Sequence, residues 1–199
     1  MNNNQRRFFV FVSLVAFVSA TAALLLALSP QPLAPDLPQT LAAVEAADGM
    51  EQVFQTDAPM SRGTWKYIHI RHSKTPSGDA ISLTRGRGDP GDHFVICNGQ
   101  GGVDGEIQLT PRWLAQISAL PPAGAESIDP ACISICLIGD HDLAAPTPTQ
   151  IRRLTRLVTA LQAKLNVPAR NVIAEAFPGS AATAGAAFPT ADFRSRILQ

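Results

Sequence analysis

The sequence predicts an α/β (α+β) domain, a central mixed β-sheet flanked by helices, preceded by one N-terminal transmembrane helix. Three observations predict it. Short apolar runs rich in Ile and Val recur between glycine and proline turns, as buried strands do. One long stretch repeats its apolar residues at helical spacing behind a capping signal. An uncharged run covers 8–28, ahead of a proline-rich stretch.

Taken in order, Gln5, Arg6 and Arg7 precede that uncharged run and Pro30 follows it. A helix over 8–28 would rise about 31 Å, close to one hydrocarbon core. The run is therefore read as a transmembrane signal-anchor, with a signal peptide cut near Ala20-Thr21-Ala22 as the alternative. The positive-inside rule makes 1–7 a cytoplasmic tail and places the rest on the exported, periplasmic or extracytoplasmic side. Residues 29–62, with Pro30, Pro32, Pro35, Pro38 and Pro59, read as a Pro/Ala-rich linker whose backbone stays extended. Residues 63–199 then form one domain with enough chain for a core. The 16 basic and 16 acidic side chains cancel, so no basic surplus points to nucleic acid.

Within the domain, Tyr67 to His72 reads as a strand with Ile68, Ile70 and His72 on one face and Tyr67, His69 and Arg71 on the other. Phe94-Val95-Ile96-Cys97 is the continuous apolar run of a central strand. Asn98 to Gly105 is turn chemistry feeding a hairpin strand over 106–109. Residues 133–138 form another buried strand. Thr147-Pro148-Thr149-Gln150 is a capping box with proline at the first helical position. Ile151, Leu154, Leu157, Val158, Leu161 and Leu165 follow as the apolar stripe. Asn166-Val167-Pro168 stops the helix, 171–173 reads as a last short strand, and 193–198 as a terminal helix. Between Ser73 and His93 the chain is rich in glycine and proline, and it reads as a mobile loop in which Lys74, Arg85 and Arg87 are largely offset by Asp79 and Asp89.

Cys97, Cys132 and Cys136 are too few for a disulfide framework, and none forms a CxxC pair. They read as packed thiols, with a Cys97–Cys132 or Cys132–Cys136 bridge as alternatives in an oxidising compartment. His72 faces the side of the sheet where a buried, hydrogen-bonded imidazole is expected.

Four pieces of this chain, in order, resemble the zinc-dependent N-acetylmuramoyl-L-alanine amidases and the peptidoglycan recognition proteins. Arg71-His72-Ser73-Lys74-Thr75 is similar to that family's first-strand end, a His-His-Ser or His-Cys-Ser followed by a small residue and Thr. Asp92-His93-Phe94-Val95-Ile96 resembles its Tyr-His-Phe-Val-Ile strand, and 133–142 its Ile-Gly-Ile-Cys-Leu-Val-Gly-Asn-Phe-Asp strand. Residues 174–189 fall where the family has Gly-His-Arg-Asp, Cys-Pro-Gly and Phe-Pro. The resemblance makes 63–199 an amidase-like domain and implies peptidoglycan, or its stem peptides, as the partner.

The resemblance also implies where chemistry belongs, and there the sequence departs. Active members hold Zn²⁺ with two histidines and a cysteine, and the metal turns a bound water into a nucleophile. Those ligands fall at Arg71, Glu175 and Thr183, and the assisting tyrosine falls at Asp92. No histidine follows His141 and no cysteine follows Cys136, so realignment supplies no substitutes. The expectation is a pseudoenzyme with no metal and no cofactor, whose cleft candidates are His69, Arg71, His93 and Glu175. A bidentate Arg71–Glu175 pair is expected to fill the metal's place. A rebuilt metal site from His69, His141 and Glu175 is the minor alternative. For the whole chain the alternatives are an active amidase cutting between muramic acid and the stem peptide, or an interaction subunit of an envelope complex.

Overall fold

A computed structural model describes residues 49–198, except 62, 85–87, 122–127 and 177–181. Its strands are β1 (Tyr67–His72), β2 (Phe94–Ile96), β3 (Ile107–Leu109), β4 (Cys132–Leu137) and β5 (Val172–Ile173). They form one mixed sheet in the order β3-β2-β4-β1-β5. β4 lies parallel to both β1 and β2, β5 is parallel to β1, and β3 closes an antiparallel hairpin with β2. All six residues of β4 are buried, as the near-continuous apolar run required of a strand covered on both faces.

Four helices accompany the sheet among the described residues: α1 (Gly49–Gln52), α2 (Pro111–Leu114), α3 (Pro148–Leu165) and α4 (Thr190–Ile197). α3 begins where the sequence placed it. The Thr147 hydroxyl accepts from the Gln150 amide while the Gln150 side chain accepts from the Thr147 amide, and Asn166 ends the helix at φ 60°. Its buried stripe, Ile151, Leu154, Leu157, Val158, Leu161 and Leu165, joins Ile68, Ile70, Ile133 and Ile135 in the main core. The opposite face of the sheet carries a smaller cluster of Ala80, Val95, Cys136 and Ile138.

The packed chain begins before Gly63. Val53, in the expected linker, is fully buried, and its carbonyl accepts from the Trp113 indole at 2.6 Å. Met50, Phe54 and Met60 pack against the same core, so apolar residues inside the proline-rich stretch tie it down. Residues 76–80 of the loop after β1 are likewise held, where a mobile loop was expected. The Gly78 and Ala80 amides donate to the Gln100 carbonyl and the Gln108 side chain, both at 2.7 Å, and Asn98 donates to the Pro76 carbonyl. Cys97, Cys132 and Cys136 are buried thiols and no disulfide joins them. Burial pushes Cys97 and Cys132 up to about 12, which makes them inert packing groups. Among the described residues no helix is long and apolar enough to cross a membrane, and the expected span over 8–28 lies outside them.

Candidate functional site

The alternation of β1 sends His69 and Arg71 to the face of the sheet opposite α3, and β4 places Ser134 and Cys136 beside them in register. Asp92, just before β2, reaches the same spot. Arg71 Nε donates to Asp92 Oδ1 at 2.7 Å, and Arg71 Nη2 donates to Asp92 Oδ2. The third guanidinium nitrogen donates to the His72 carbonyl at 3.3 Å. The Ser134 hydroxyl donates to Asp92 Oδ1 at 2.6 Å, and Thr110 Oγ1 donates to the Asp92 carbonyl.

This is an enclosed, bidentate ion pair, with side-chain exposures of 15% for Arg71 and 3% for Asp92. Burial opposes the guanidinium's charge, and the Asp92 carboxylate outweighs it, holding Arg71 above its ordinary value.

The expected Arg71–Glu175 pair is not what forms. Glu175 turns outward, and both its carboxylate oxygens accept from Arg194 Nη2, at 2.9 and 2.7 Å, with both side chains at least half exposed. Arg71 has the nearer partner because the segment before β2 runs beside Ser134 of β4, whose side chain shares a face of the sheet with Arg71. Glu175 sits beyond the end of β5, where α4 presents Arg194.

Thr183 comes close to the site through its backbone: its carbonyl accepts from the His72 amide at 2.9 Å, while its hydroxyl accepts from the Gly185 amide. His69 is fully buried, and its Nε2 lies 3.1 Å from the Ala182 carbonyl. His69 therefore ties down the backbone beside Thr183. Burial lowers its pKa.

His93 is fully buried behind Asp92. Its Nδ1 accepts from the Ser134 amide at 3.0 Å and its Nε2 donates to the Ile117 carbonyl at 2.9 Å. Those two bonds fix one neutral tautomer, and burial lowers the pKa to about 4. The ring edges onto Trp65 and Trp113, so His93 is a structural centre and does not line an open cleft.

The four positions do not fit zinc. Arg71 is a paired cation, Glu175 is committed to Arg194, Thr183 offers a hydroxyl already bonded to Gly185, and Asp92 is neutralised by Arg71. The minor alternative also fails to assemble. His141 Nδ1 bonds the Ala144 carbonyl at 3.0 Å, His69 faces Ala182, and Glu175 faces Arg194.

One group went unnoticed in the sequence. His72, Asp140 and Asp142 bring a donor atom each within 4.8 Å of one another, at the ends of β1 and β4. Its geometry disfavours a cation. His72 Nδ1 already accepts from the His141 amide at 2.9 Å, which puts the proton on Nε2, the nitrogen facing Asp142 at 3.6 Å. Lys74 Nζ stands 3.8 Å from the same carboxylate. The group reads as a salt-linked loop clasp in which His72 stacks on His141. The Gly-Asp-His-Asp run could have signalled it, but only the fold brings His72 to that run.

No family model matches the chain, and no curated protein matches it. Solved structures do. The chain is similar to an N-acetylmuramoyl-L-alanine amidase, LysC from Clostridium intestinale URNW, at 16% identity and a TM-score of 0.43, covering 71% of this chain and 91% of that one. It is similar to PGRP-Hd from Alvinella pompejana at 15% identity and a TM-score of 0.41, covering 73% and 92%. It is similar to Manduca sexta Peptidoglycan Recognition Protein-1 at 16% identity and a TM-score of 0.41, covering 62% and 75%. These solved structures carry the names of the family that the ordered strand motifs resemble.

Proposed function

We propose that this chain is an amidase-type domain that has given up metal-dependent hydrolysis and serves at the cell envelope as a peptidoglycan binder or scaffold, held to the membrane by residues 8–28. One observation carries the reading. Arg71 and Asp92, the positions of the first metal ligand and of the assisting tyrosine in the resemblance, neutralise each other through two hydrogen bonds, with Ser134 bonded to the same carboxylate. A cation held there by its own counter-ion occupies the ground of a metal and repels one. The nearest described groups are committed elsewhere: Asp92 accepts from Arg71 and Ser134, and His69 and His93 are bonded to backbone. Peptidoglycan as the partner follows from the family resemblance alone, since fold does not fix function.

The test uses the full chain purified without chelators. Zinc per polypeptide is measured by elemental mass spectrometry, and the same sample is sedimented with purified cell wall. Zinc-free protein that sediments with wall and releases no stem peptide is the expected result. About one zinc per chain together with stem-peptide release would restore the amidase reading. Protein that neither hydrolyses nor sediments would overturn the binding reading in favour of an interaction subunit.

A further inference from the structure

The formal charge of zero conceals a strong asymmetry. α3 carries Arg152, Arg153, Arg156 and Lys164 and no acidic residue, and α4 carries Arg194 and Arg196 against Asp192. Six bases less one acid leaves +5 on two adjacent helices, so the remainder of the chain sums to −5. Where the start of α3 meets α4, the surface sinks into a groove of about 360 Å³. Pro146, Pro148, Pro189 and Ile151 supply its apolar lining, and Arg152, Asp192 and Arg196 complete it.

Those residue types limit what the groove can hold. Proline has no amide hydrogen, so the three prolines cannot pair with an added strand, and their rings are rigid surfaces that lose little freedom on binding. Selectivity must come from apolar contact and from the two guanidiniums. Arg152 donates to the Thr149 hydroxyl and has no acidic partner among the described residues. Arg196 shares Asp192 within α4, an exposed pair worth little and readily exchanged. Both arginines can therefore turn to a carboxylate from outside. The volume lies at the small end of ligand sites and admits a few side chains, while a flat lipid surface could reach only the rim.

We infer that the groove between α3 and α4 is a docking site for an extended acidic peptide segment of a protein partner, anchored by an apolar side chain against Pro146, Pro148 and Pro189 and clamped by Arg152 and Arg196. It lies at the helical layer on the side of the sheet away from Arg71 and Asp92, so it operates whether or not the cleft binds peptidoglycan.

The probe is a short fluorescein-labelled peptide alternating leucine and glutamate around a central proline, titrated by anisotropy against the full chain in zwitterionic detergent. Binding should weaken at least about tenfold for Arg152→Glu/Arg196→Glu. It should be unchanged for Lys164→Glu, which makes the same kind of charge reversal at the far end of α3. On the unaltered protein, replacing the peptide's leucines by serine should also weaken binding at least about tenfold. Equal loss with Lys164→Glu would reduce the effect to general charge and overturn the site. Indifference to the serine replacement would overturn the apolar anchor. No peptide binding, with phosphatidylglycerol vesicles captured instead, would assign the basic face to a membrane and overturn the proposal.

Discussion

Replacing Asp92 by Asn tests the central feature of the candidate site. The substitution keeps the side-chain shape and an oxygen for the Ser134 hydroxyl, but it removes the carboxylate paired with Arg71. Breaking a buried pair by deleting one partner costs about 3–5 kcal/mol, because the remaining charge stays desolvated. Arg71 retains 15% side-chain exposure, so some water reaches it and the lower end, about 3 kcal/mol, is expected. Glu175→Gln is the internal comparison. It removes the carboxylate of a pair in which one Arg194 nitrogen serves both oxygens and whose side chains are 50% and 57% exposed, and should cost less than about 1 kcal/mol. Equilibrium urea unfolding gives both values from the midpoints, provided the m-value is unchanged. If Asp92→Asn falls within about 1 kcal/mol of Glu175→Gln, the Arg71 charge is solvated and the plugged-site argument collapses.

Acid should destabilise the fold through its histidines. His69, His72, His93 and His141 all have pKa values lowered by burial. The unfolded chain therefore binds more protons, and the stability, complete above about pH 6.5, falls as pH drops below it. With a folded value of about 4, His93 alone should remove about 1.4 kcal/mol by about pH 5.5. Urea midpoints that stay level between about pH 7.5 and 5.5 would mean that the imidazoles are not held neutral. At the start of α3, Thr147→Ala removes the acceptor for the Gln150 amide and the donor to Asp104, and should cost about 1–2 kcal/mol, with Thr147→Ser restoring most of it. Thermal unfolding with no shift for Thr147→Ala would show that the capping box contributes nothing.

Local patterns made much of the fold legible. Alternation in β1, the apolar runs of β2 and β4 and the capping box of α3 are each written within a few consecutive residues, where backbone geometry ties spacing to structure. The element ends differ by only a residue or two for β2, β4 and β5, while α4 starts three residues earlier than expected, at Thr190. The packing of 49–60 was missed because proline spacing signals an extended chain whether or not its apolar residues find a core. In Val53 and Phe54 the apolar content was present, but its destination, Trp113 and the end of α3, lies far along the sequence.

The candidate site divides the same way. The sequence by itself determined that Arg71, Asp92, Glu175 and Thr183 stand where the resemblance wants a metal and its helper, and that no later histidine or cysteine can stand in. It could not choose Arg71's partner. A guanidinium pairs with whichever carboxylate the backbone delivers within reach, and that depends on where separate segments end. The sheet order delivered Asp92 to Arg71, α4 drew Glu175 out to Arg194, and the end of β1 met Asp140 and Asp142 at His72. Residue chemistry was fixed by sequence; which charges meet was decided by tertiary structure, because pairing depends on distances of a few ångströms between positions remote in the chain.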